Sequence, residues 1–480
     1  MKRREFLKLT GAVACAAALP AFSLRPAWAA SDPLPFKISL AEWSLHKNLF
    51  GNKMTNLDFP RIAREEFDID TIELVDQFCK DKARDDAYLK DLKSRADGEG
   101  VAIGLIMIDM NGPLGAEDKA ARDTAVDNAK AWVDAAAYLG SHTIRVNARG
   151  PKDADVLRKH VSDSCQKLAD YAAERNINVT IENHFGHSSD PDWLLSVMKA
   201  VDRPNFGTLP DFGNFTPDVD RYDAVERFMP YAKAVSAKAS AFNDDGTCTE
   251  TDYFRMMRIV RDGGYAGHVG VESVGKTPED EYAAIRKTRD LLLRIREDHA
   301  RCQPIFNGEN LSDWKTIKGG EWTVEDGVLV GRNGRDWTTD PELTGSWLRT
   351  NKMYSDFRLE LQYAINKGGN SGVFFRSAEI KNPAFTGYEM QIVDGHGDAP
   401  SKGGVTSLYD VVAPSEVRVR PAEEWNTVTI IAKGKNIEVE MNGATVIDTE
   451  QSRSARGYIG LQNHDEQSVV RFKNIRLEEL

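Results

Sequence analysis

The stretch Val179-Thr-Ile-Glu-Asn-His184 is a short strand-forming run that carries an acid, Glu182, near its end. Two further runs share this pattern: Gly207-Thr-Leu-Pro-Asp-Phe-Gly213, which contains Asp211, and His268-Val-Gly-Val-Glu-Ser273, which contains Glu272. A buried strand that ends in an acid brings the carboxylate to the rim of a sheet, where a metal ion or a substrate proton can reach it. The recurrence predicts that the three acids share one site.

These runs belong to a longer alternation of strands and helices. Apolar runs predict strands at residues 37–40, 71–75, 101–108, 143–147, 179–182, 207–211, 234–238 and 268–272. The intervening stretches have helical character, notably residues 119–139 and 154–175, and a charged helix over residues 278–297 closes the series. Eight strands with helices between them predict an α/β fold, a (β/α)8 TIM barrel over residues 34–300.

The pattern changes after Pro304, where helical periodicity stops. Alternating runs predict strands at residues 321–324, 327–330, 357–363, 372–376, 388–392, 427–431, 437–441 and 469–472. Asp326-Gly327 and Asn442-Gly443 are strong hairpin signals. Residues 303–480 are therefore expected to form an all-β, concanavalin-like sandwich (jelly roll). Because no low-complexity linker separates the two blocks, the domains are expected to pack together.

The first residues predict export. Lys2-Arg-Arg-Glu-Phe-Leu-Lys8 precedes an apolar stretch, and Ala27-Trp-Ala29 offers a small-x-small cleavage site, so residues 1–29 are expected to form a twin-arginine-type signal peptide. A periplasmic or secreted protein follows, without membrane insertion after signal removal. A retained membrane anchor is the alternative, although the apolar stretch is short for one. The net charge of −12 argues against nucleic acid as a partner.

Two known families are recognisable in these residues. The N-terminal block resembles the sugar phosphate isomerase/epimerase superfamily of xylose isomerase-like barrels, from Ile38-Ser-Leu-Ala-Glu-Trp-Ser-Leu-His46 to Glu272. The C-terminal block resembles the 3-keto-disaccharide hydrolase domain, also called domain of unknown function 1080. The motifs that carry this second resemblance are Phe306-Asn-Gly-Glu-Asn-Leu-Ser-Asp-Trp314, Gly368-Gly-Asn-Ser-Gly-Val-Phe-Phe-Arg376, Tyr388-Glu-Met-Gln-Ile392, Glu424-Trp-Asn-Thr427, Met441-Asn-Gly443 and Gly460-Leu-Gln-Asn-His464.

The barrel resemblance implies a divalent metal ion. Such barrels hold the ion with Glu, Asp, His and Glu, and the two Glu also act as acid and base. Glu182, Asp211 and Glu272 match three of these positions, whereas Ser236 stands where the family often has His. Serine is a poor ligand for a transition metal, so His184 or water would complete the shell, or binding would be weak. Mn, Mg, Zn and Co are not distinguished, and buried ion pairs or a turn cap are the alternative roles for the acids.

Other polar residues are candidates for catalysis or sugar contact, each with a structural role as the alternative. His184 and Lys238 are expected to take part in catalysis at the barrel, where Trp43, His46 and Glu73 are placed to touch a sugar. In the sandwich, the candidates for catalysis are Glu389 and His396, and those for substrate binding are Asn370, Arg376 and Gln391. Glu389 and Gln391 share one face of an extended strand by the period of two.

The chemistry common to both resemblances is that of a glycoside oxidised at C3. The ketone acidifies the C2 proton, so a base can remove it and the C1 substituent leaves by β-elimination. The sequence thus predicts an exported enzyme acting on a small carbohydrate, with metal-assisted hydration or isomerisation in the barrel. The alternatives are a sugar isomerase/epimerase with an accessory carbohydrate-binding sandwich, and a non-catalytic sugar-binding protein. The oligomeric state stays open.

Overall fold

The structure, a computed structural model, describes residues 36–335 and 346–480. The predicted signal peptide, residues 1–29, lies outside the described residues. None of the helices in the described part of the chain has the length and apolar character needed to cross a bilayer. Its four cysteines, Cys79, Cys165, Cys248 and Cys302, are buried free thiols.

Residues 36–302, all described, contain a closed ring of eight parallel strands. The strands are β1 (Lys37–Ala41), β2 (Thr71–Val75), β3 (Ala102–Ile108), β4 (Thr143–Val146), β5 (Asn178–Glu182), β6 (Phe206–Leu209), β7 (Val235–Ala239) and β8 (His268–Ser273). They pair in the order β6-β5-β4-β3-β2-β1-β8-β7, and the bridges Thr208↔Ala232 and Asp211↔Ser236 close the ring. The predicted TIM barrel is confirmed.

Nine α-helices accompany these strands over the same residues, besides five short 3-10 helices. They are α1 (His46–Phe50), α2 (Phe59–Phe67), α3 (Asp86–Glu99), α4 (Lys119–Leu139), α5 (Ala154–Ala173), α6 (Pro191–Val201), α7 (Arg221–Phe228), α8 (Tyr253–Asp262) and α9 (Pro278–Arg301). Aspartates cap many helix starts; Asp118 and Asp153, for example, accept backbone N–H groups of α4 and α5. The predicted bounds of α4 agree at both ends, whereas α9 runs four residues beyond the predicted end at residue 297.

The C-terminal region is built from antiparallel strands and one short helix in its described part. The strands are β9 (Gln303–Pro304), β10 (Trp314–Ile317), β11 (Glu321–Glu325), β12 (Val328–Arg332), β13 (Ser346–Tyr354), β14 (Phe357–Ile365), β15 (Asn370–Ser377), β16 (Tyr388–Val393), β17 (Asn426–Lys433), β18 (Asn436–Met441), β19 (Ala444–Glu450), β20 (Gly457–Asn463) and β21 (Val470–Glu479), and the helix is α10 (Pro383–Thr386). The sequence patterns did not predict five of these strands, namely β9, β10, β13, β19 and β20.

Two sheets form the predicted sandwich. The smaller sheet has the order β10-β13-β20-β15-β16, and the larger has the order β11-β12-β21-β14-β17-β18-β19, with β9 paired to β21. Leu359 and Leu361 of β14 and Phe375 of β15 meet in the buried core between the sheets. Each sheet therefore has a second face, turned away from this core.

The outer face of the larger sheet contacts the barrel through charged side chains. Arg261 of α8 donates from Nη2 to Glu360 Oε2 at 2.8 Å, and both side chains are about 95 % buried. Arg358 Nη1 lies 2.8 Å from Asp298 Oδ1 of α9. Because the larger sheet faces the barrel, the smaller sheet lies on the far side of the sandwich, one sheet spacing of about 10 Å further away.

We expect Glu360→Gln to lower the free energy of unfolding by about 3 kcal/mol, because it removes one of the two buried carboxylates, Glu360 and Asp262, that neutralise Arg261. Arg261 and Arg358 hold the pKa of Glu360 at about 2 against the opposing effect of burial, so the carboxylate is ionised at neutral pH. Urea unfolding at pH 7 measures the effect. Glu416→Gln, at an exposed ion pair with Arg418, is the matched control, and equal midpoints for both variants would contradict the role given to Glu360.

Candidate functional site

The three acids singled out from sequence meet at one end of the barrel. Glu182 ends β5, Glu272 lies one residue before the end of β8, and Asp211 follows β6 by two residues. One carboxylate oxygen from each lies within 4.8 Å of the others, and all three side chains are buried. The predicted strand through Asp211 ends earlier, at Leu209, and Asp211 instead forms a single bridge with Ser236 of β7.

Ser236 lies between two of the three acids. Its Oγ is 2.9 Å from Asp211 Oδ2 and 3.0 Å from Glu272 Oε2. A hydroxyl carries one proton, so it can donate to only one of the two carboxylates at a time. Ser236, at the position where the resemblance leads one to expect a histidine, thus contacts both acids directly.

Two cations neutralise part of this charge. Lys238 of β7 places Nζ 2.6 Å from Glu272 Oε1, and Arg145 of β4 places Nε 2.9 Å from Glu182 Oε2. Arg145 Nη1 also donates to Asp109 Oδ1 at 2.5 Å. With Asp211 and Asp109 included, carboxylates outnumber the cations in the cluster. The excess negative charge is what a bound metal ion or a proton would compensate.

The pKa values of the two cavity-facing glutamates are driven apart. Burial, with repulsion from Glu272, raises the pKa of Glu182 to about 7 although Arg145 opposes it. Burial also raises the pKa of Asp211 to about 7, against the attraction of Lys238. For Glu272 burial acts in the same direction, but Lys238 and Arg145 outweigh it and lower the pKa. Such separation is the mark of an acid and base pair.

A cavity of about 220 Å³ opens above these groups. It is lined by Trp43, Val75, Gln77, Met107, Asp109, Arg145, Arg149, Glu182, His184, Phe185, Lys238 and Glu272. The structure therefore brings Glu182, Glu272, Lys238, His184 and Trp43 together, as predicted. Burial, followed by repulsion from Arg145 and Lys238, lowers the pKa of His184, which favours its neutral form.

Two of the residues expected to touch sugar lie outside this lining. Glu73 projects into the barrel interior, accepts a hydrogen bond from Ser39 Oγ at 2.6 Å, and has its pKa raised to about 7 by burial. His46 stacks on Trp43 with ring centroids 4.8 Å apart, and its Nδ1 bonds to the Trp43 carbonyl at 2.7 Å. In this structure Glu73 therefore packs inside the barrel and His46 supports Trp43, and neither side chain lines the cavity.

Sequence reasoning missed Phe185 on the cavity rim. The residue is 55 % exposed, and its backbone has φ 61° and ψ 173°, a region that essentially only glycine adopts without strain. Backbone strain in a non-glycine residue is concentrated at functional sites. An exposed aromatic held in this way offers an apolar surface at the entrance, opposite in character to the charged floor.

Acids also follow three earlier barrel strands directly, β1, β2 and β3. Asp109, directly after β3, and Arg145, a charge inside a buried strand, were both visible signals of the cavity. Two similar acids have other roles. Glu42 accepts from Asn56 Nδ2 at 2.6 Å and from Val75 N at 2.9 Å, and Asp76 accepts from the backbone N–H groups of residues 109 and 110, both at 2.9 Å. A strand-end acid alone therefore does not distinguish a loop anchor from a site residue.

A second carboxyl-based cluster lies on the outer face of the smaller sheet. Glu389 and Gln391 of β16 share this face, as predicted, and Gln391 in its satisfied amide orientation donates to Glu389 Oε1 at 3.2 Å. A Cβ at Gly372 would lie 2.2 Å from Glu389 Oε1, so only glycine leaves room for the carboxylate against the sheet. Burial raises the pKa of Glu389 to about 8, with a hydrogen bond from Gln462 opposing it.

Polar atoms around Glu389 lack partners within the described residues. They include the indole Nε1 of Trp347, Oε1 of Gln462 and Oδ1 of Asn370. The Trp347 ring packs edge-on to Phe374 with centroids 5.5 Å apart, over Gly460, where a Cβ would lie 2.2 Å from the ring. Buried polar groups without partners are rare, and a bound ligand or water commonly satisfies them.

Two further predicted residues of the sandwich do not join this cluster. Arg376 lies at the opposite end of β15 from Asn370, and its fully buried guanidinium donates to the carbonyls of Ser355 and Gly434 and to Asp356 Oδ1 at 2.7, 2.8 and 2.9 Å. These bonds give Arg376 a structural role and correct the expectation of substrate contact. His396 is exposed in the loop after β16, where Nδ1 donates to the Val419 carbonyl at 2.8 Å.

Comparisons with known proteins identify both halves of the chain. A family model described as a xylose isomerase-like TIM barrel matches residues 62–295. A second model, described as a 3-keto-alpha-glucoside-1,2-lyase-like domain, matches residues 301–478. A curated relative, the 3-keto-disaccharide hydrolase of Bacteroides thetaiotaomicron, is 24% identical over 37% of this chain and 77% of its own length.

Solved structures resemble one half each. A candidate glycosyl hydrolase from Parabacteroides distasonis is 26% identical over 38% of this chain and 95% of its own, with a TM-score of 0.33. The 3-keto-D-glucoside 4-epimerase of E. coli is 17% identical over 55% of this chain and 99% of its own, with a TM-score of 0.41. Both TM-scores lie below 0.5, and these likenesses assign no activity to this chain. The two family models, by contrast, establish that the protein joins a xylose isomerase-like TIM barrel to a 3-keto-disaccharide hydrolase domain.

Proposed function

We propose that this protein is an exported enzyme that cleaves 3-keto-glycosides, with elimination in the sandwich and hydration of the product in the barrel. The observation that carries the proposal is that each domain holds its own buried carboxyl-based site. Glu389 lies on the sheet face that points away from the barrel, whereas Glu182 and Glu272 lie at the end of the barrel strands. The family descriptions of the two halves and the name of the curated relative support the same chemistry.

The elimination step needs one base beside C2 of the sugar. Ionised Glu389 accepts the C2 proton, and the electron pair of the C2–H bond enters the C3 ketone as an enolate. When the ketone re-forms, the C1–O bond breaks and C1=C2 forms, while the departing oxygen takes the proton that Glu389 had accepted. A pKa of about 8 makes Glu389 a stronger base than an ordinary carboxylate, which suits removal of a carbon-bound proton. Gln391 and Asn370 provide polar contacts for the sugar.

The hydration step uses an acid and a base together. Water adds to C1 of the unsaturated ketone, and C2 regains a proton, so the sum of both steps is hydrolysis. Glu272, kept ionised by Lys238, accepts a proton from the water, and Glu182 donates one to C2. Lys238 and Arg145 stabilise negative charge on the C3 oxygen in the intervening enolate. Trp43 and His184 border the cavity where the ring would lie.

The negative charge of the three barrel acids suits a divalent metal ion. Glu182, Asp211 and Glu272 would hold it. Repulsion between these carboxylates contributes to the raised pKa values of Glu182 and Asp211, and a bound cation would compensate this negative charge. The set supplies oxygen ligands, which suits Mg²⁺ or Mn²⁺ better than a softer metal. When bound, the ion would supply Lewis acidity to a ligand oxygen. Ser236 and Lys238 already engage Asp211 and Glu272, so they would have to release these carboxylates in part.

Incubation of the purified protein with a 3-keto-disaccharide tests the division of labour. We expect Glu389→Gln to slow release of the leaving sugar by about 100-fold or more, because the base is lost. Glu182→Gln should leave this release intact and let the unsaturated ketone accumulate, which ultraviolet absorbance detects. Glu416→Gln, at an exposed position of the sandwich, serves as the control. No release by the wild-type protein, with or without Mn²⁺, would refute the function, and loss of release in Glu182→Gln would refute the division.

Metal binding is tested without reference to activity. We expect calorimetric titration with Mn²⁺ to give one site per chain, and Asp211→Asn to weaken it by about 100-fold, because a charged ligand becomes neutral. Asp223→Asn removes the same charge from the exposed surface of α7 and should leave the affinity unchanged. Equal affinities in the wild type and in Asp211→Asn would place the ion elsewhere.

The environment of Glu389 predicts an unusual pH dependence of stability. An unfolded glutamate ionises near pH 4.3, whereas folded Glu389 stays protonated to about pH 8, so the folded state loses stability relative to the unfolded state as pH rises between these values. Glu389→Gln removes this loss, and the variant should gain stability relative to wild type between pH 5 and pH 8. Urea unfolding curves across that range measure the difference. A constant difference between the two proteins would show that the carboxyl group is not held protonated.

A further inference from the structure

A cavity of about 220 Å³ lies at the junction of the two domains, apart from both sites described above. Helices α7 and α8 form its barrel side, and β14, β17, β18 and β21 of the larger sheet form the other. Neither domain alone would enclose it. Binding sites occur preferentially at such domain junctions. We call it the junction cavity.

Charged side chains dominate the junction cavity, and some of them are already paired. Arg420 Nη2 lies 2.8 Å from Glu226 Oε2, and Arg258 Nη2 lies 3.4 Å from Glu440 Oε2. Each of these pairs joins the barrel to the sandwich, so both serve the docking of the domains. Within each of these two pairs the charges cancel, so neither pair would attract a charged ligand.

Two further cations of the cavity are in a different situation. Among the described residues, no carboxylate lies within 4.0 Å of the Arg255 or Lys473 charge, and neither side chain forms a hydrogen bond. Arg255 lies over the ring of Tyr222 at 3.8 Å, and Lys473 lies over the ring of Trp425 at 4.2 Å. Burial lowers the pKa of both groups, against attraction from acids: Asp220 and Asp252 for Arg255, and Asp262 and Glu226 for Lys473. Asp262 and Glu226 also line the cavity, but they pair with Arg261 and Arg420.

Both cations line the junction cavity, and uncharged groups surround them there. Gly443, at φ 78° in the turn between β18 and β19, approaches Arg255 so closely that a Cβ would lie 2.2 Å from Nε. The neighbouring wall supplies uncharged hydrogen-bonding groups from Gln362, Thr427 and Asn442. A partly buried cation without a counter-charge is costly, and an anion that enters between two of them recovers that cost.

We propose that the junction cavity binds an oxyanion group, a carboxylate, sulfate or phosphate, between Arg255 and Lys473. The planar guanidinium of Arg255 suits a bidentate contact with two oxygens, and Lys473 adds a point charge from the opposite domain. The aromatic rings behind both cations fix their positions before the ligand arrives. This site is independent of the proposed reaction, because none of its residues lies at the barrel cavity or in the Glu389 cluster. A ligand held from both sides would also tie the two domains together.

Thermal melting of the full chain tests the proposal with three probes, sodium sulfate, sodium phosphate and sodium glucuronate, each compared with sodium chloride at equal ionic strength. We expect a saturable rise in Tm of about 2 to 4 °C at ten times Kd for at least one probe. Lys473→Met and Arg255→Met should each remove the rise. Lys159→Met deletes one exposed charge from α5 and should keep it.

The variants also make a prediction in chloride alone. Because Lys473→Met removes an unpaired, largely buried charge and keeps an apolar stem against Trp425, its Tm should equal or exceed that of the wild type. Lys473→Gln is a second variant should the first fold poorly. A response to glucuronate but not to the inorganic ions would identify an acidic sugar as the ligand, and the reverse would identify a free oxyanion. An unsaturable response, or an equal saturable response in all variants, would overturn the proposal.

Discussion

A buried carboxylate must find a cation or hydrogen-bond donors, and this constraint organises the barrel. Strand-end acids meet it in two ways. Glu42 and Asp76 accept backbone N–H groups from the neighbouring strand ends, so they fix the loops around the opening. Glu272 is instead met by Lys238, and Glu182 by Arg145. Glu42 and Asp76 therefore hold the loops at the rim in place, whereas Glu272 and Glu182 keep charged groups at the rim.

Much of the fold follows from local patterns. Short apolar runs between helical stretches predicted all eight barrel strands. The predicted bounds of α4 agree at both ends, because the Asp118 cap begins that helix and Gly140 ends it. The strands β13 and β20 were missed, since charged or glycine-rich stretches hide their alternation: one carries Arg349 and Lys352, the other Gly457 and Gly460. Their place in the sheet is fixed by partners far away in the chain.

The sites were predictable to the extent that the barrel aligns strand ends. Glu182, Asp211 and Glu272 meet because parallel strands end on one side. Arg376 could not be classified from sequence, since its partners Ser355, Asp356 and Gly434 lie in other turns. The relation between Glu389 and Gly372 likewise depends on strand register, which places Gly372 opposite Gln391 and beside the glutamate. Non-local pairing, rather than residue type, decides such cases.

The face of the larger sheet that contacts the barrel consists largely of charged and polar residues, among them Arg358, Glu360, Gln362 and Glu440. A surface of this kind remains wettable when its partner is absent, whereas an apolar one would aggregate. The sandwich thus has the physical character of a module that can be joined to different neighbours, with recognition encoded in the pattern of charges. In evolutionary terms, such an interface allows two genes to fuse before the contact between their products is optimised, because neither domain needs the other to cover an exposed apolar surface.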